Sequence, residues 1–150
     1  MLRSILAVVV SYIAMAVLVM VLFTGLWLAM GPDRLLEPGT WKGNMILSIA
    51  APAITASVGL FGGWLCAKIG RPPSAHRPVL ALAALVFVLG MTMAYFTLQK
   101  PEPTGPREPG MTVAQIMEKG RQPAWVAISN PIIGAIAVLC AGLGSARKRS

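Results

Sequence analysis

Charged residues are scarce in this chain of 150 residues. They make up 12% of the sequence, as 13 basic and 5 acidic side chains, whereas an ordinary soluble domain carries roughly 25%. Apolar residues make up 56%. This composition argues against a soluble globular domain and indicates a protein whose solvent is lipid.

Residues that carry catalytic or ligand chemistry are equally few. The sequence has one histidine, His76, and two cysteines, Cys66 and Cys140, which form no C-x-x-C pair. Haem held between helices usually needs histidine ligands, and disulfide redox chemistry needs paired cysteines. A buried free cysteine usually acts as a small apolar residue. We therefore predict no catalytic residue, no metal site and no cofactor.

The apolar residues are concentrated in four stretches that contain no Asp, Glu, Lys, Arg or His. They cover residues 5–30, 45–67, 79–98 and 124–143. Each reaches the length of about 20 residues that a helix needs to cross the hydrocarbon core. Since backbone in hydrocarbon must pair its own polar groups, each stretch is predicted to be a helix. The sequence thus predicts an all-α integral membrane protein, with a single membrane domain over residues 1–150 and four transmembrane helices.

The distribution of charge predicts the orientation of these helices. With both ends of the chain in the cytoplasm, the inner side holds seven basic residues and no acid: Arg3, Lys68, Arg71, Arg77, Arg147, Lys148 and Arg149. The outer loops, 31–44 and 99–123, hold six basic residues diluted by all five acids, so the positive-inside rule favours this orientation, with 68–78 as the inner loop. We expect a multi-pass protein of the plasma membrane, the inner membrane in a bacterium.

The basic residues do not indicate nucleic acid as a partner. They are scattered over tails and loops, with no soluble domain to present them as a patch. We expect the lipid bilayer as the partner, together with another membrane protein or a second copy of the chain.

The second outer loop contains a helix signal. Thr112 and Gln115 match a capping box, and Gly120 supplies a stop. Val113, Ile116 and Met117 share one face of the intervening turn, so a short amphipathic helix is predicted. The favoured role is a connector that shields the end of the bundle; the alternative is a lid or docking element.

Small residues recur at every fourth position of the second apolar stretch. These positions are Ala51, Thr55, Gly59, Gly63 and Ala67. Small residues let helix backbones approach closely, which is how helices associate in lipid. We predict that this helix lies at the centre of a four-helix bundle, and a partner subunit is the less favoured occupant of the stripe.

The second and fourth stretches resemble each other. When Pro52 is aligned with Pro131, Gly63 meets Gly142, and the first and third stretches add further identities. This pattern is typical of two helical hairpins of the same orientation, related by an axis along the membrane normal. Apolar sequences match easily by chance, so the internal repeat is a hypothesis.

The two prolines lie at a similar depth, about 10 Å from the outer ends of their helices, and each removes one helical hydrogen bond. The polar residues near them are Ser48, Thr55, Ser129 and Asn130. The favoured interpretation is that these side chains satisfy the freed carbonyls or bond to neighbouring helices. The alternative is a polar site in the outer half of the membrane.

Three functions fit these features. The first is a non-enzymatic accessory or structural subunit, or a homo-oligomer, that acts through helix packing. The second is a small transporter or channel component with a pathway near Thr55, Ser129 and Asn130. A cavity that reaches Asn130 would favour the second over the first.

The third function is a membrane enzyme that acts on lipid headgroups through residues of the outer loops. Its candidate residues are Asp33, Arg34, Glu37 and Glu108. Scattered loop charges more often simply face water, so enzymatic activity is the least favoured of the three.

Overall fold

The computed structural model describes residues 2–70, 76–101, 103, 105 and 111–147. The helices in these ranges are α1 (Leu2–Met30), α2 (Pro32–Leu35), α3 (Met45–Gly70), α4 (His76–Gln99), α5 (Val113–Lys119) and α6 (Ala124–Arg147). The four long helices, α1, α3, α4 and α6, are long and apolar enough to cross a membrane. The described residues contain no β-strand. They form two isolated β-bridges, which pair Leu36 with Gly43 and Lys42 with Arg121.

The four long helices all extend past the apolar stretches at the same end of the bundle. α1 begins before Arg3, α3 continues through Lys68, and α4 includes Arg77. A charged side chain does not interrupt the helical hydrogen bonds, and Lys and Arg favour helix while reaching toward water with their charged tips. The Lys68 ammonium, for example, lies 4.7 Å from the centroid of the Trp64 ring.

We call this end of the bundle the basic end and the opposite end, which carries α2 and α5, the loop end. The predicted inner loop, 68–78, is shortened from both sides by α3 and α4. Its remaining residues, 71–75, lie outside the described ones.

α3 and α6 form the closest pair of helices, which we call the seam. A Cβ atom added to Gly59 would lie 2.8 Å from both the Ala137 Cβ and the Gly134 carbonyl oxygen. One added to Gly63 would overlap the backbone of Val138. The small-residue face of α3 therefore lies directly on the backbone of α6, at a separation that only glycine permits.

The other two long helices pack on the outside of the seam. α1 packs against α3, and α4 packs against α6, as two hairpins related by a twofold axis would. The correspondence is incomplete, because α4 also contacts α3 whereas α1 and α6 scarcely touch. The internal repeat stays a prediction, and the gap between α1 and α6 is the main departure from it.

The loop end is covered by an ordered cap. Its apolar core consists of Trp27, Leu35, Leu36, Trp41, Leu47 and Ile116, all buried. Backbone hydrogen bonds join the two loops, from the Gly43 N–H to the Arg121 carbonyl and from the Arg121 N–H to the Trp41 carbonyl, each 2.7 Å long. Asn44 caps α3 by accepting from the Leu47 N–H at 3.1 Å.

α5 has reciprocal capping at its start. The Thr112 hydroxyl accepts from the Gln115 N–H at 3.4 Å, and the Thr112 N–H donates to the Gln115 side chain at 3.0 Å. The helix ends where the Gly120 N–H bonds to the Ile116 carbonyl, at 2.8 Å. The buried Ile116 side chain attaches α5 to the cap.

Candidate ligand site

Bulky side chains set the distance between α1 and the rest of the bundle. α1 has buried residues at Ala7, Ser11 and Met15, and then none until Trp27. Met15 lies against Gly62 of α3, where an added Cβ atom would overlap the methionine side chain. Because a methionine side chain separates the two backbones here, α1 lies further from the seam than glycine contacts would place it.

α4 shows the same change along its length. Its buried residues are Pro78, Val79, Leu82 and Ala83 near the basic end, and then none follow until Ala94. Near the basic end, α1 and α4 share one buried apolar cluster with α3 and α6. Toward the loop end they border a cleft with a volume of about 610 Å³.

All four long helices contribute to the cleft. α3 and α6 form its back wall, α1 and α4 form its sides, and Gly120 and Gln122 border it at the loop end. The buried cluster that contains Met15, Leu82 and Val138 fills the basic end of the bundle. The cleft is therefore a blind space in the half of the bundle nearer the loops.

The lining of the cleft is mostly apolar and carries no charge among the described residues. Its polar side chains are Tyr12, Thr55, Thr97, Gln122 and Asn130. Sites for small molecules in proteins typically have volumes of roughly 300–1,000 Å³ and combine apolar walls with a few polar groups. The cleft has both properties.

Asn130 and Pro131 place hydrogen-bond acceptors beside the cleft. The Asn130 Oδ1 atom is buried and accepts no hydrogen bond from the described residues. Pro131 has no N–H, so the Ala127 carbonyl loses its donor within α6, and Ala127 also borders the cleft. A buried acceptor without a donor costs about 1–3 kcal/mol.

The structure divides the four polar residues that the sequence grouped near the prolines. Thr55 and Asn130 both line the cleft. Ser129 does not, and its hydroxyl donates to the Val126 carbonyl at 3.3 Å. The Ser48 hydroxyl donates to the Asn44 carbonyl at 2.9 Å, close to the cap. Neither serine bonds to a carbonyl that a proline frees, since those belong to residues 48 and 127.

Sequence reasoning missed Tyr12, Thr97 and Gln122. Tyr12 occupies one face of α1 with Met15, Ala16 and Val19, at the spacing i, i+3, i+4 and i+7. α1 is apolar on all sides, however, so no periodic change in polarity distinguishes this face in the sequence. Gln122 lies in a loop that only the cap brings to the cleft.

The charged residues of the headgroup hypothesis lie away from the cleft. Asp33 and Arg34 are exposed on α2, and Glu37 is exposed in the turn that follows. Glu108 lies outside the described residues. The three described residues do not line the cleft.

A second, smaller pocket of about 240 Å³ lies within the cap, beside Trp41, Lys42 and Arg121. The Trp41 indole N–H donates to the Gly105 carbonyl at 3.0 Å, and the Arg121 guanidinium donates to the Pro101 carbonyl at 3.2 Å. These polar groups hold loop backbone, which explains their position without a ligand.

The two cysteines have different surroundings. Cys66 is buried in the cluster at the basic end, whereas Cys140 is exposed on α6. Over the described ranges, no group of three or more His, Cys, Asp or Glu side chains could hold a metal ion.

Comparison with protein-family models, with curated proteins and with solved structures finds no match for this chain.

Proposed function

We propose that this protein is a component of a small-molecule transporter in the plasma membrane and that it binds its substrate in the cleft between α1 and α4. The observation that carries the proposal is a cleft of about 610 Å³ whose mostly apolar walls include a few polar side chains, among them Thr55 and Asn130. A cavity of this kind is expected in a protein that binds a small molecule and not in a helix bundle that is packed throughout its interior.

An accessory role through the small-residue stripe has less support. Gly59 and Gly63 lie against α6 of the same chain, so that part of the stripe has no room for a partner helix. A partner subunit would need another surface, such as the outer face of α1, and lipid would cover that face equally well.

In the proposed orientation, the loop end faces the outside of the cell and the basic end faces the cytoplasm. The positive-inside rule supports this choice, because Arg3, Lys68 and Arg77 lie at the basic end, where α6 also ends. The cleft then belongs to the outer half of the membrane. Passage of a substrate to the cytoplasm requires the buried cluster around Met15 to open.

The cap serves as a connector in this proposal. Ile116 of α5 is buried with Trp27, Leu35 and Leu36, so α5 is held by apolar contacts from two other parts of the chain. These contacts favour a shield over the bundle end more than a lid that opens in each transport cycle.

Native mass spectrometry of the protein released from lipid nanodiscs tests substrate binding. Ala16 borders the cleft, so Ala16→Trp should fill it and displace a bound small molecule. The matched control is Val17→Trp, because Val17 is the next residue, does not line the cleft and is 57% exposed. We expect a bound small molecule in the wild type and in the Val17→Trp variant, and its loss from Ala16→Trp.

A molecule retained equally by both tryptophan variants, or none bound to any form, would contradict the proposal. Circular dichroism and thermal unfolding of the two variants provide the folding control. Flux of the identified molecule into proteoliposomes, blocked by Ala16→Trp, then distinguishes transport from binding alone.

A further inference from the structure

The cleft reaches only about halfway across the membrane. Its lining on α4 runs from Val86 to Thr97, a length of roughly 16 Å at about 1.5 Å per residue. The hydrocarbon core is about 30 Å thick, so the cleft has the depth of one leaflet. The buried cluster that contains Met15 and Leu82 closes it toward the basic end. A molecule in the cleft must therefore end near the middle of the membrane.

The open side of the cleft lies between α1 and α4. The lining residues on α3 and α6 are buried or half-buried, and α4 lies close to α6, since a Cβ atom added to Gly90 would be 2.8 Å from Pro131. The exposed residues of the lining all belong to α1 and α4: Ala16, Leu89, Met93 and Thr97. Both helices are apolar enough to cross a membrane, so the gap between them faces the acyl chains of the bilayer.

The lining of the cleft suits an apolar molecule with a polar group at one end. Among the described residues, those that line the cleft carry no charge. The Asn130 Oδ1 atom is buried, so it is not presented to a molecule in the cleft. Thr97 and Gln122 lie at the loop end, the level at which the hydrocarbon of the membrane meets the headgroups in the proposed orientation.

A transmembrane helix of a partner protein does not fit this space. Such a helix crosses the whole core of about 30 Å, whereas the cleft ends at Met15 on one side and is bordered by Gly120 and Gln122 on the other. An acyl chain of a lipid in the outer leaflet ends at the middle of the membrane. It is also the solvent at the opening between α1 and α4.

We infer that the cleft holds one acyl chain of a phospholipid from the outer leaflet, with the headgroup beside Thr97 and Gln122 and the end of the chain beside Met15 and Val86. This inference rests on the proposed function and names phospholipid as the class of its substrate. The acyl chain is already in hydrocarbon before it enters, so entry is favoured by the dispersion contacts that an empty cleft lacks. The fit of the acyl chain to the depth of the cleft therefore sets the preference between lipids.

Phospholipids that carry a diazirine at one of two positions test this arrangement in nanodiscs. A diazirine at the end of one acyl chain should label Thr55 and Val86. A diazirine beside the headgroup should instead label Thr97 or Gln122. Thr55 lies on the back wall of the cleft, roughly 15 Å from the outer end of α3. A label at Thr55 therefore marks an acyl chain inside the cleft.

The tryptophan variants distinguish lipid in the cleft from lipid around the protein. Ala16→Trp should abolish the label at Thr55, whereas Val17→Trp should retain it, because Val17 does not line the cleft. Labels confined to the outer faces of the helices, unchanged by Ala16→Trp, would overturn this inference. The proposed function would then stand if native mass spectrometry finds a molecule other than a phospholipid that Ala16→Trp displaces. If it finds no such molecule, both would be overturned.

The depth of the cleft is tested by a competition between acyl chains of different length. Nanodiscs contain equal amounts of two phospholipids that share a headgroup, and native mass spectrometry gives the ratio in which they are bound. Val86→Phe adds volume at the floor and should shift this ratio about tenfold toward the shorter acyl chain. Val88→Phe is the matched control, because Val88 is 58% exposed and does not line the cleft, and it should keep the wild-type ratio.

A second variant at the floor predicts the opposite shift. Met15→Ala removes volume there and should shift the ratio toward the longer acyl chain. Met20→Ala is its control, because Met20 is 71% exposed and lies outside the cleft. Circular dichroism shows which floor variants are folded, and each tests the depth independently of the other. A wild-type ratio in a folded floor variant would overturn this inference, while displacement of bound lipid by Ala16→Trp would still support the proposed function.

Discussion

Two of the helices around α6, α3 and α1, are very different neighbours. Toward α3 it forms the seam, where an added Cβ atom at Gly59 would lie only 2.8 Å from the Ala137 side chain. Toward α1 it borders the cleft, and the two helices scarcely touch. The comparison shows that two helix backbones come closest where both helices present small residues. α3 presents glycine to α6, whereas α1 presents Tyr12 and Met15.

The two regions also differ in polarity. The seam consists of glycine, alanine and valine atoms and the Thr55 methyl group, and dispersion contacts between the close backbones stabilise the pair. The cleft holds Thr55 and Asn130, whose polar atoms have no place in such a contact. The seam therefore accounts for stability, and the cleft is the region available for a ligand.

The largest expected difference between the regions concerns added volume. Ala137→Leu in the seam should lower the free energy of unfolding by about 3 kcal/mol, because the new atoms would push α3 away at Gly59. The same substitution at Ala16, which borders the open cleft, should change it by less than about 0.5 kcal/mol. Unfolding in mixed micelles with increasing SDS measures both. Equal losses at the two positions would show that the cleft is closed in the membrane.

A smaller effect is expected from single methyl groups. Gly63→Ala should cost about 2 kcal/mol, since its Cβ atom would overlap the Val138 backbone. Gly25→Ala in α1 is the matched control, because no atom lies within 4 Å of its added Cβ. The control should be neutral or stabilising by up to about 1 kcal/mol, the difference in helix propensity between the two residues. The same SDS titration distinguishes them, and a tolerated Gly63→Ala would contradict the seam.

In the cleft, removal of a polar group should raise stability. Asn130→Leu should stabilise the ligand-free protein by about 1 kcal/mol, because it replaces a buried acceptor that has no donor. Ser129→Ala should stay within about 0.5 kcal/mol, since its hydroxyl bonds only to a carbonyl of its own helix. Thermal unfolding of delipidated protein measures this effect. A loss of stability in Asn130→Leu would show that Asn130 has a structural partner.

The smallest effect is expected at the loop-end border of the cleft. Thr112→Ala removes the N-cap of α5 and should cost about 0.5–1 kcal/mol, seen as faster amide exchange in residues 113–119. Thr92→Ala is the control, because its hydroxyl bonds to the Val88 carbonyl on an exposed face of α4. Faster exchange confined to α5 would show that the cap is a separate local unit. A matching increase in α3 would instead tie the cap to the seam.

The four helices were predictable because their signal is contiguous and strong. The predicted spans stopped short of the charged residues at the basic end, whereas helices α1, α3 and α4 include Arg3, Lys68 and Arg77. A search for stretches without charged residues detects where charge begins. The backbone hydrogen bonds of the helix, however, continue until the chain turns. Side-chain charge is therefore a poor marker of the last helical residue.

The candidate site was only partly predictable. Adjacent residues on a helix point about 100° apart, so Ser129 and Asn130 cannot both face the same neighbour. The sequence places both near Pro131, and only the positions of α1 and α4 decide that Asn130 faces the cleft. Tyr12 and Gln122 come from segments far apart in the chain, and no local pattern connects them to Asn130.

The amino-acid sequence by itself determined the four apolar helices and the small-residue face of α3, because hydrocarbon length and side-chain size are properties of consecutive or regularly spaced residues. Only the tertiary structure decided that this face meets α6, that Met15 keeps α1 apart from the seam, and that the resulting gap exposes Asn130. A cavity is the space left when helices of fixed shape pack together, so it depends on pairs of surfaces that no single stretch of sequence contains.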